Sequence, residues 1–376
     1  MQEERIRILK MVEEGKLSAD EALSLLNELE QSQQIVEQKQ EELVNELSTV
    51  VKFDEGKQGD SKQEDTDSFQ NKFQSLKDVI VDFVDSAFKK IKDFDLDFNF
   101  GQGYELSHIF QQSDVELRNI DVDIANGSVQ FIPWDQNDVR IECKAKVYRG
   151  ESQDEARASF LRDILFNVDI GTLRFSAQPK WMKVEATIYL PKADYENARI
   201  RLFNGPIRFE NLNVKSLKAK TANGRIGGTG LVGEKMEVET ANGKIKIRES
   251  KITELEAETL NGAIQLEGDY ARLELQSFNG NIGCKLKGDR CEEIEAKTIS
   301  GGIDLAIPSG LAVTGELKTN LGSFAVELDG IQIVSEKSDV VQKSLHFKPV
   351  VPSTHLFKLE AETKTGSISV RKNVIE

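Results

Sequence analysis

LEAETLNGAIQL, residues 255–266, decides the fold of this chain. Leu255, Ala257 and Thr259 alternate with polar residues, Asn261-Gly262 follows, and Ile264 and Leu266 then alternate on the opposite parity. Period-two alternation marks strands with one buried face, and Asn-Gly suits a sharp corner because both residues tolerate positive φ. The parity flip lets the strands on either side of the corner point apolar side chains into one core.

Outward from this stretch the pattern recurs at Gly127, Gly205, Gly224, Gly243, Gly262, Gly280, Gly301, Gly322 and Gly366, with steps of 19, 19, 19, 18, 21 and 21 residues from Gly205 to Gly322. With each corner Gly numbered zero, position +2 is always apolar: Val129, Ile207, Ile226, Ile245, Ile264, Ile282, Ile303, Phe324 and Ile368. Position +4 is apolar except at Gly228. Position −1 is Asn126, Asn204, Asn223, Asn242, Asn261 and Asn279, then Ser300, Leu321 and Thr365. A two-residue hairpin would give the same parity flip. A near-constant period with like residues in like places instead predicts stacked coils, which put identical side chains in columns about 4.8 Å apart. The expected fold is mainly β: a single-chain β-solenoid of about nine coils, preceded by an N-terminal helical hairpin and an amphipathic capping helix.

The boundaries follow the pattern. Residues 1–31 read as the hairpin: Ile6, Leu9 and Val12 line one helix, Gly15 ends it, and Ser18 with Glu21 forms a capping box for the next. Residues 32–68 are a helical extension and a linker, whose DEGKQGDSKQEDTDS (54–68) has no apolar anchor. Residues 69–112 hold an amphipathic helix and a lead-in strand, and 113–376 the solenoid. Two insertions interrupt the repeat. One lies between Gly127 and Gly205, with a helix predicted at 151–166 and strand alternation at 181–190; the other spans about 331–356.

Composition narrows the function. A net charge of −15 argues against nucleic-acid binding, which needs a basic footprint. Cys143, Cys284 and Cys291 are too few and too irregular for a disulfide scaffold or a zinc site. His108, His346 and His355 lack partners at metal-ligand spacing. No catalytic constellation emerges, and neither an enzyme nor a cofactor is expected. MQEERIRILK leads directly into an amphipathic helix, so no secretory signal is expected, and no apolar run is long enough to span a bilayer. A cytoplasmic protein, at most membrane-peripheral, is the expectation, with the cell surface by a non-classical route as the alternative.

Two features offer binding surfaces. Position −6 is Glu237, Glu256, Glu274, Glu295, Glu316 and Glu360, and its parity points it outward. Stacked, these carboxylates form a column that is either a solvated face, partly neutralised by Lys297 and Lys318, or a stripe for a cationic peptide or Ca²⁺. The helix at 69–92 carries Phe69, Phe73, Ile80, Phe83 and Phe88 on one face, which either caps the first coil or meets a membrane or partner helix. A protein or peptide partner is expected, and a homo-oligomer joined through the hairpin is open. A polysaccharide-acting solenoid enzyme is the remaining alternative, disfavoured because the Glu column is regular rather than gathered around a cleft.

The repeats LEAETLNGAIQL (255–266) and LEAETKTGSISV (359–370) resemble the adhesin-type β-strand-repeat family of bacterial proteins, and EERIRILKMVEEGKLSADEALSLLNELE (3–30) resembles the SHOCT-like helical hairpin that opens many members. Envelope-stress proteins of the YvlB and LiaX types combine the two. The resemblance implies a non-enzymatic protein of the cell-envelope stress response, which senses cationic antimicrobial peptides or modulates a membrane signalling system. It carries no catalytic residues over.

Overall fold

The computed structural model describes residues 103–373 except 339–341, 352 and 354–355. The hairpin at 1–31, the segment 32–68 and the amphipathic helix with Phe69, Phe73, Ile80, Phe83 and Phe88 lie outside the described residues.

The chain enters through β1 (Tyr104–Gln112), β2 (Asn119–Trp134) and β3 (Val139–Val147), then α1 (Gln153–Asp163), β4 (Ile164–Asp169), β5 (Thr172–Ala177) and β6 (Met182–Pro191). The repeats follow as β7 (Asp194–Asn204), β8 (Ile207–Glu210), β9 (Asn213–Asn223), β10 (Ile226–Thr229), β11 (Val232–Asn242) and β12 (Ile245–Asn261). They continue through β13 (Ile264–Asn279), β14 (Ile282–Leu286), β15 (Glu293–Ser300), β16 (Ile303–Pro308), β17 (Ala312–Thr319) and β18 (Phe324–Glu327). A hairpin, β19 (Ile331–Ser338) and β20 (Lys343–Pro349), precedes a last coil, β21 (Leu356–Thr363) and β22 (Ile368–Asn373).

Strands do not pair across their own corner. Each pairs in parallel with its counterpart one coil away, as in Ile226↔Ile245 and Ile245↔Ile264. That is the solenoid. Its pre-corner sheet runs β5, β2, β7, β9, β11, β12, β13, β15, β21, β17. Its post-corner sheet runs β6, β2, β8, β10, β12, β13, β14, β16, β22, β18. Their inward side chains, including the whole +2 column but for half-buried Phe324, pack into one core. At Gly228, where the +4 column lacks a side chain, Leu231 fills the space: its Cδ1 would lie 2.6 Å from a Cβ added there.

The corners explain the polar columns. A Cβ on Gly262 would sit 1.9 Å from the Gly243 carbonyl oxygen, so coils stack at this spacing only with glycine there. The buried hydroxyl at −3 donates to the corner carbonyl of the adjacent coil, as Thr240 does to Gly224 (2.8 Å), Thr259 to Gly243 (3.0 Å) and Thr298 to Gly280 (3.0 Å). At −1 the Asn side chains form a continuous ladder, each Nδ2 donating to the Oδ1 of the coil before it: Asn204 to Asn126, Asn223 to Asn204, Asn242 to Asn223, Asn261 to Asn242 and Asn279 to Asn261, at 2.8–3.0 Å. Each bond is worth about 1 kcal/mol net, and more is lost if a single partner is removed.

The ends depart from sequence order. β2 lies between the coil of β5 and β6 and the coil of β7 and β8. At the other end the last coil in sequence, β21–β22, sits between β15–β16 and β17–β18. The two insertions and the entering strand β1 then close the stack with antiparallel strands: β4 on β5, β3 on β6 with β1 on β3, and β20 on β17 with β19 on β20. Such additions cover parallel edges that would otherwise expose backbone donors and acceptors. Helix α1 is capped by Ser152, whose Oγ accepts from the Glu155 amide (3.2 Å), and it buries Ala156 and Phe160 against this end. It is shorter than the predicted 151–166. It stops at Asp163 because Ile164, Phe166 and Val168 begin the alternation of β4. At the far end Phe347 packs over Gly315, where an added Cβ would meet its ring at 2.1 Å.

Candidate functional site

The six position −6 glutamates form one ladder. The register pairs Glu237 with Glu256, Glu256 with Glu274, Glu274 with Glu295, Glu295 with Glu360 and Glu360 with Glu316. Glu360 therefore stands between Glu295 and Glu316 rather than after them, because β21 is inserted there. All six point outward from the pre-corner sheet; Glu274 is exposed and the others are half-buried. Toward the N-terminal end the ladder continues through Lys218, Arg199 and Asp121, and at the other end it reaches His346.

The carboxylates are not equivalent. Glu237 accepts from Lys218 Nζ at 2.7 Å and lies 3.4 Å from Lys235 Nζ. Burial pushes its carboxyl up, but these cations outweigh it and hold it below the usual range. Lys297 pairs with Glu295, Lys318 with Glu316, and Lys358 with Glu360 at 2.8 Å. His346 Nε2 lies 3.5 Å from Glu316 Oε1. Glu274 accepts from the Gln276 amide at 2.7 Å. Glu256 makes no ion pair among the described residues. Burial, then the neighbouring charges of Glu274, Glu237 and Glu258, push its carboxyl above its ordinary value of 4.5, against the pull of Lys235. The middle of the stripe thus holds an under-compensated negative charge.

Other features carry less. A cleft of about 810 Å³ at the N-terminal end is lined by Gln130, Lys144, Lys180, Lys183, Glu185 and Arg208, among others. Within it Lys183 pairs with Glu185 at 2.8 Å, and the register sets Ser128 opposite Glu185. Among the described residues no group of three His, Cys, Asp or Glu side chains is placed to hold a metal ion. Cys143, Cys284 and Cys291 are buried free thiols, and burial pushes Cys143 and Cys291 up to about 12. His108 is half-buried in the end cap against Phe110, at 4.4 Å between ring centroids, and burial, then Arg157, lowers its pKa. His355 lies outside the described residues. No described helix is long and apolar enough to cross a membrane.

Comparison with known proteins gives a consistent result. The Toastrack DUF4097 family matches residues 117–346, and a SHOCT-like domain matches residues 3–34. The chain is 44% identical over 371 residues to the protein of Bacillus subtilis (strain 168) called "Uncharacterized protein YvlB", covering 99% of each. A solved "putative adhesin" from Bacteroides fragilis NCTC 9343 is 14% identical, with 71% of this chain and 96% of that one covered at a TM-score of 0.40. A "Putative lipid binding protein" from Parabacteroides distasonis ATCC 8503 is also 14% identical, covering 72% and 98% at a TM-score of 0.36.

Proposed function

The chain belongs to the Toastrack DUF4097 family, and from that premise we propose that its solenoid is a non-catalytic binding scaffold that presents the glutamate stripe to cationic peptides in the cell-envelope stress response. The observation that carries this reading is the ladder itself: six carboxylates in one register, with Glu256, between Glu237 and Glu274, making no ion pair among the described residues. A cationic peptide laid along the stack would supply the missing charge at rung spacing, about 4.8 Å per coil. Partial burial of the carboxylates lowers the local dielectric and strengthens such contacts relative to fully exposed ones. The envelope-stress role rests on the resemblance carried by the repeats and the N-terminal hairpin; in that role, peptide capture would bias a membrane signalling partner.

The test is a calorimetric titration of the full chain with a cationic amphipathic peptide at low salt. Replacing Glu256, Glu274 and Glu295 by Gln should weaken binding about tenfold, from about 0.5 kcal/mol for each exposed charge contact. Unchanged affinity removes the stripe as the binding surface.

A further inference from the structure

The post-corner sheet turns a different surface outward. Its outward positions carry Arg225 and Lys244 at +1, Arg208 and Lys246 at +3, and Arg248 and Lys285 at +5. The register places Arg208 beside Gly227 and Gly227 beside Lys246. Arg248 lies between Thr229 and Glu267, and Glu267 lies beside Lys285. Arg225 and Lys244 occupy the same place in successive coils, where the Ile226 amide donates to the Lys244 carbonyl at 3.0 Å. At strand spacing the six cations spread over about 14 Å along the strands and about 19 Å across them.

None of the six makes an ion pair among the described residues. The contrast with the pre-corner sheet is sharp, where Lys218, Lys235, Arg272, Lys297, Lys318 and Lys358 each lie within reach of a carboxylate. In a chain of net charge −15, the six cations on this face outnumber the acids on the same outward rows, Glu210, Glu267 and Asp304, and leave positive charge to be met from outside. Burial, then repulsion from Lys246 and Arg248, lowers the Lys244 pKa, as expected where cations crowd; Glu267, set between Arg248 and Lys285, is the acid nearest to that crowding.

The shape narrows the partner. Gly227 and Gly283 stand among the cations, and a Cβ on either would meet nothing nearer than 4.0 Å, so the floor is low: a shallow open depression of about 290 Å³ lined by Lys246, Arg248, Lys285 and Arg371 with Glu267 and Asp304, among others. A depression this shallow and open does not enclose a single small anion. The outward rows around the patch, Pro206, Ala263, Gln265, Asn281, Gly302 and Asp304, offer no aromatic ring on which a base could stack. Dispersed cations on a plane match dispersed anions on a plane. We propose that this face of the solenoid is a docking surface for the anionic headgroup plane of a lipid bilayer. Docked this way, the protein turns its glutamate stripe, which faces out from the other sheet, away from the repelling surface. The proposal does not depend on what the stripe binds.

Cosedimentation of the full chain with vesicles of phosphatidylcholine, with and without phosphatidylglycerol, tests it. The wild-type chain should bind only the anionic vesicles, and less at high salt. The triple variant Arg225→Gln, Lys244→Gln, Lys246→Gln should bind about 100-fold more weakly, from about fivefold for each cation near an anionic surface. A control of equal charge change on the other sheet, Lys235→Gln, Lys297→Gln, Lys358→Gln, should bind like the wild type. If the triple variant folds poorly, Lys246→Gln alone should cost about fivefold. The proposal fails if the wild type ignores anionic vesicles, if the two triple variants lose binding equally, or if the patch variant retains it. It also fails if a short DNA duplex is bound more tightly than the vesicles with the same sensitivity to the patch variant, which would assign the face to nucleic acid.

Discussion

Replacing Glu256 by Gln should stabilise the protein at neutral pH, although it removes a charge from an ordered ladder. In register, Glu256 stands between Glu237 and Glu274, with Glu258 two residues along its own strand. Like charges directly opposite on adjacent strands cost about 0.2–1 kcal/mol each. With two such neighbours, and Lys235 offsetting part of the repulsion, the net relief from neutralising Glu256 is about 1 kcal/mol. For a domain of this size that raises Tm by about 2–4 °C. The pH sign follows from the raised carboxyl, which stands above its ordinary 4.5 in the fold. The folded state takes up this proton before the unfolded state does, so the penalty is full above the folded pKa and fades as pH falls through it toward 4.5. Thermal melts at neutral pH should therefore show Glu256→Gln above the wild type, and the gap should close near the unfolded carboxylate range and shrink in high salt. Glu237→Gln is the internal control. Lys218 and Lys235 hold Glu237 low against its burial, so its charge contributes stability that is present at neutral pH and lost on acidification. That variant should lose about 0.5 kcal/mol at neutral pH. If Glu256→Gln is no more stable than the wild type at neutral pH, or is stabilised equally in acid, like-charge repulsion is not what sets this position apart.

Three further outcomes follow from the stack. Gly262→Ala puts a Cβ 1.9 Å from the Gly243 carbonyl oxygen, where only backbone movement relieves the clash; urea denaturation should show a loss of about 3 kcal/mol or more, and a loss below 1 would mean that the coils can spread. Cys143, Cys284 and Cys291 should resist a maleimide at neutral pH until the chain is unfolded, because all three are buried and their pKa values are raised; fast labelling of the native protein would contradict the packing. Ending the chain after Pro349 removes β21 and β22, and hydrogen exchange should then show lost protection throughout β17, β18 and β20, since the missing coil is what links them to β15 and β16; protection retained in β17 would place that coil at the edge instead.

The interior of the solenoid was legible because its physics repeats. Position +2 must be apolar and Gly zero must admit the next backbone in every coil, and from the Gly224 corner onward the hydroxyl at −3 must reach a corner carbonyl, so each requirement recurs with the period. The outward parity of Glu256 follows from the same count. Rung order at the ends was not legible, for the same reason. LEAETKTGSISV satisfies any rung as well as its own, so nothing local in it says that Glu360 belongs between Glu295 and Glu316. The antiparallel caps were legible only as alternation: Met182 to Leu190 reads as a strand, but its pairing with β3 on one side and β2 on the other depends on chain reversals that alternation does not encode. The segment Ile164–Asp169 shows how a helix prediction overran: its apolar residues fit either period, and pairing with β5 decided for the strand.

What was legible and what was not separates the two surfaces from the fold that carries them. Core, hydroxyl column and Asn ladder all lie at positions that neither the glutamate stripe nor the basic face uses. Outward residues can change charge without touching a single one of those contacts, so the stack tolerates a like-charge column on one sheet and unpaired cations on the other. The cost falls on the outward side chains themselves, at roughly 1 kcal/mol per crowded charge. A surface relieved by neutral residues would be more stable, which is the pattern expected where charge is kept for binding. Stability and binding should then move in opposite directions when Glu256 is neutralised: the melt rises while peptide affinity falls. A stripe that served only solubility would give the first change without the second.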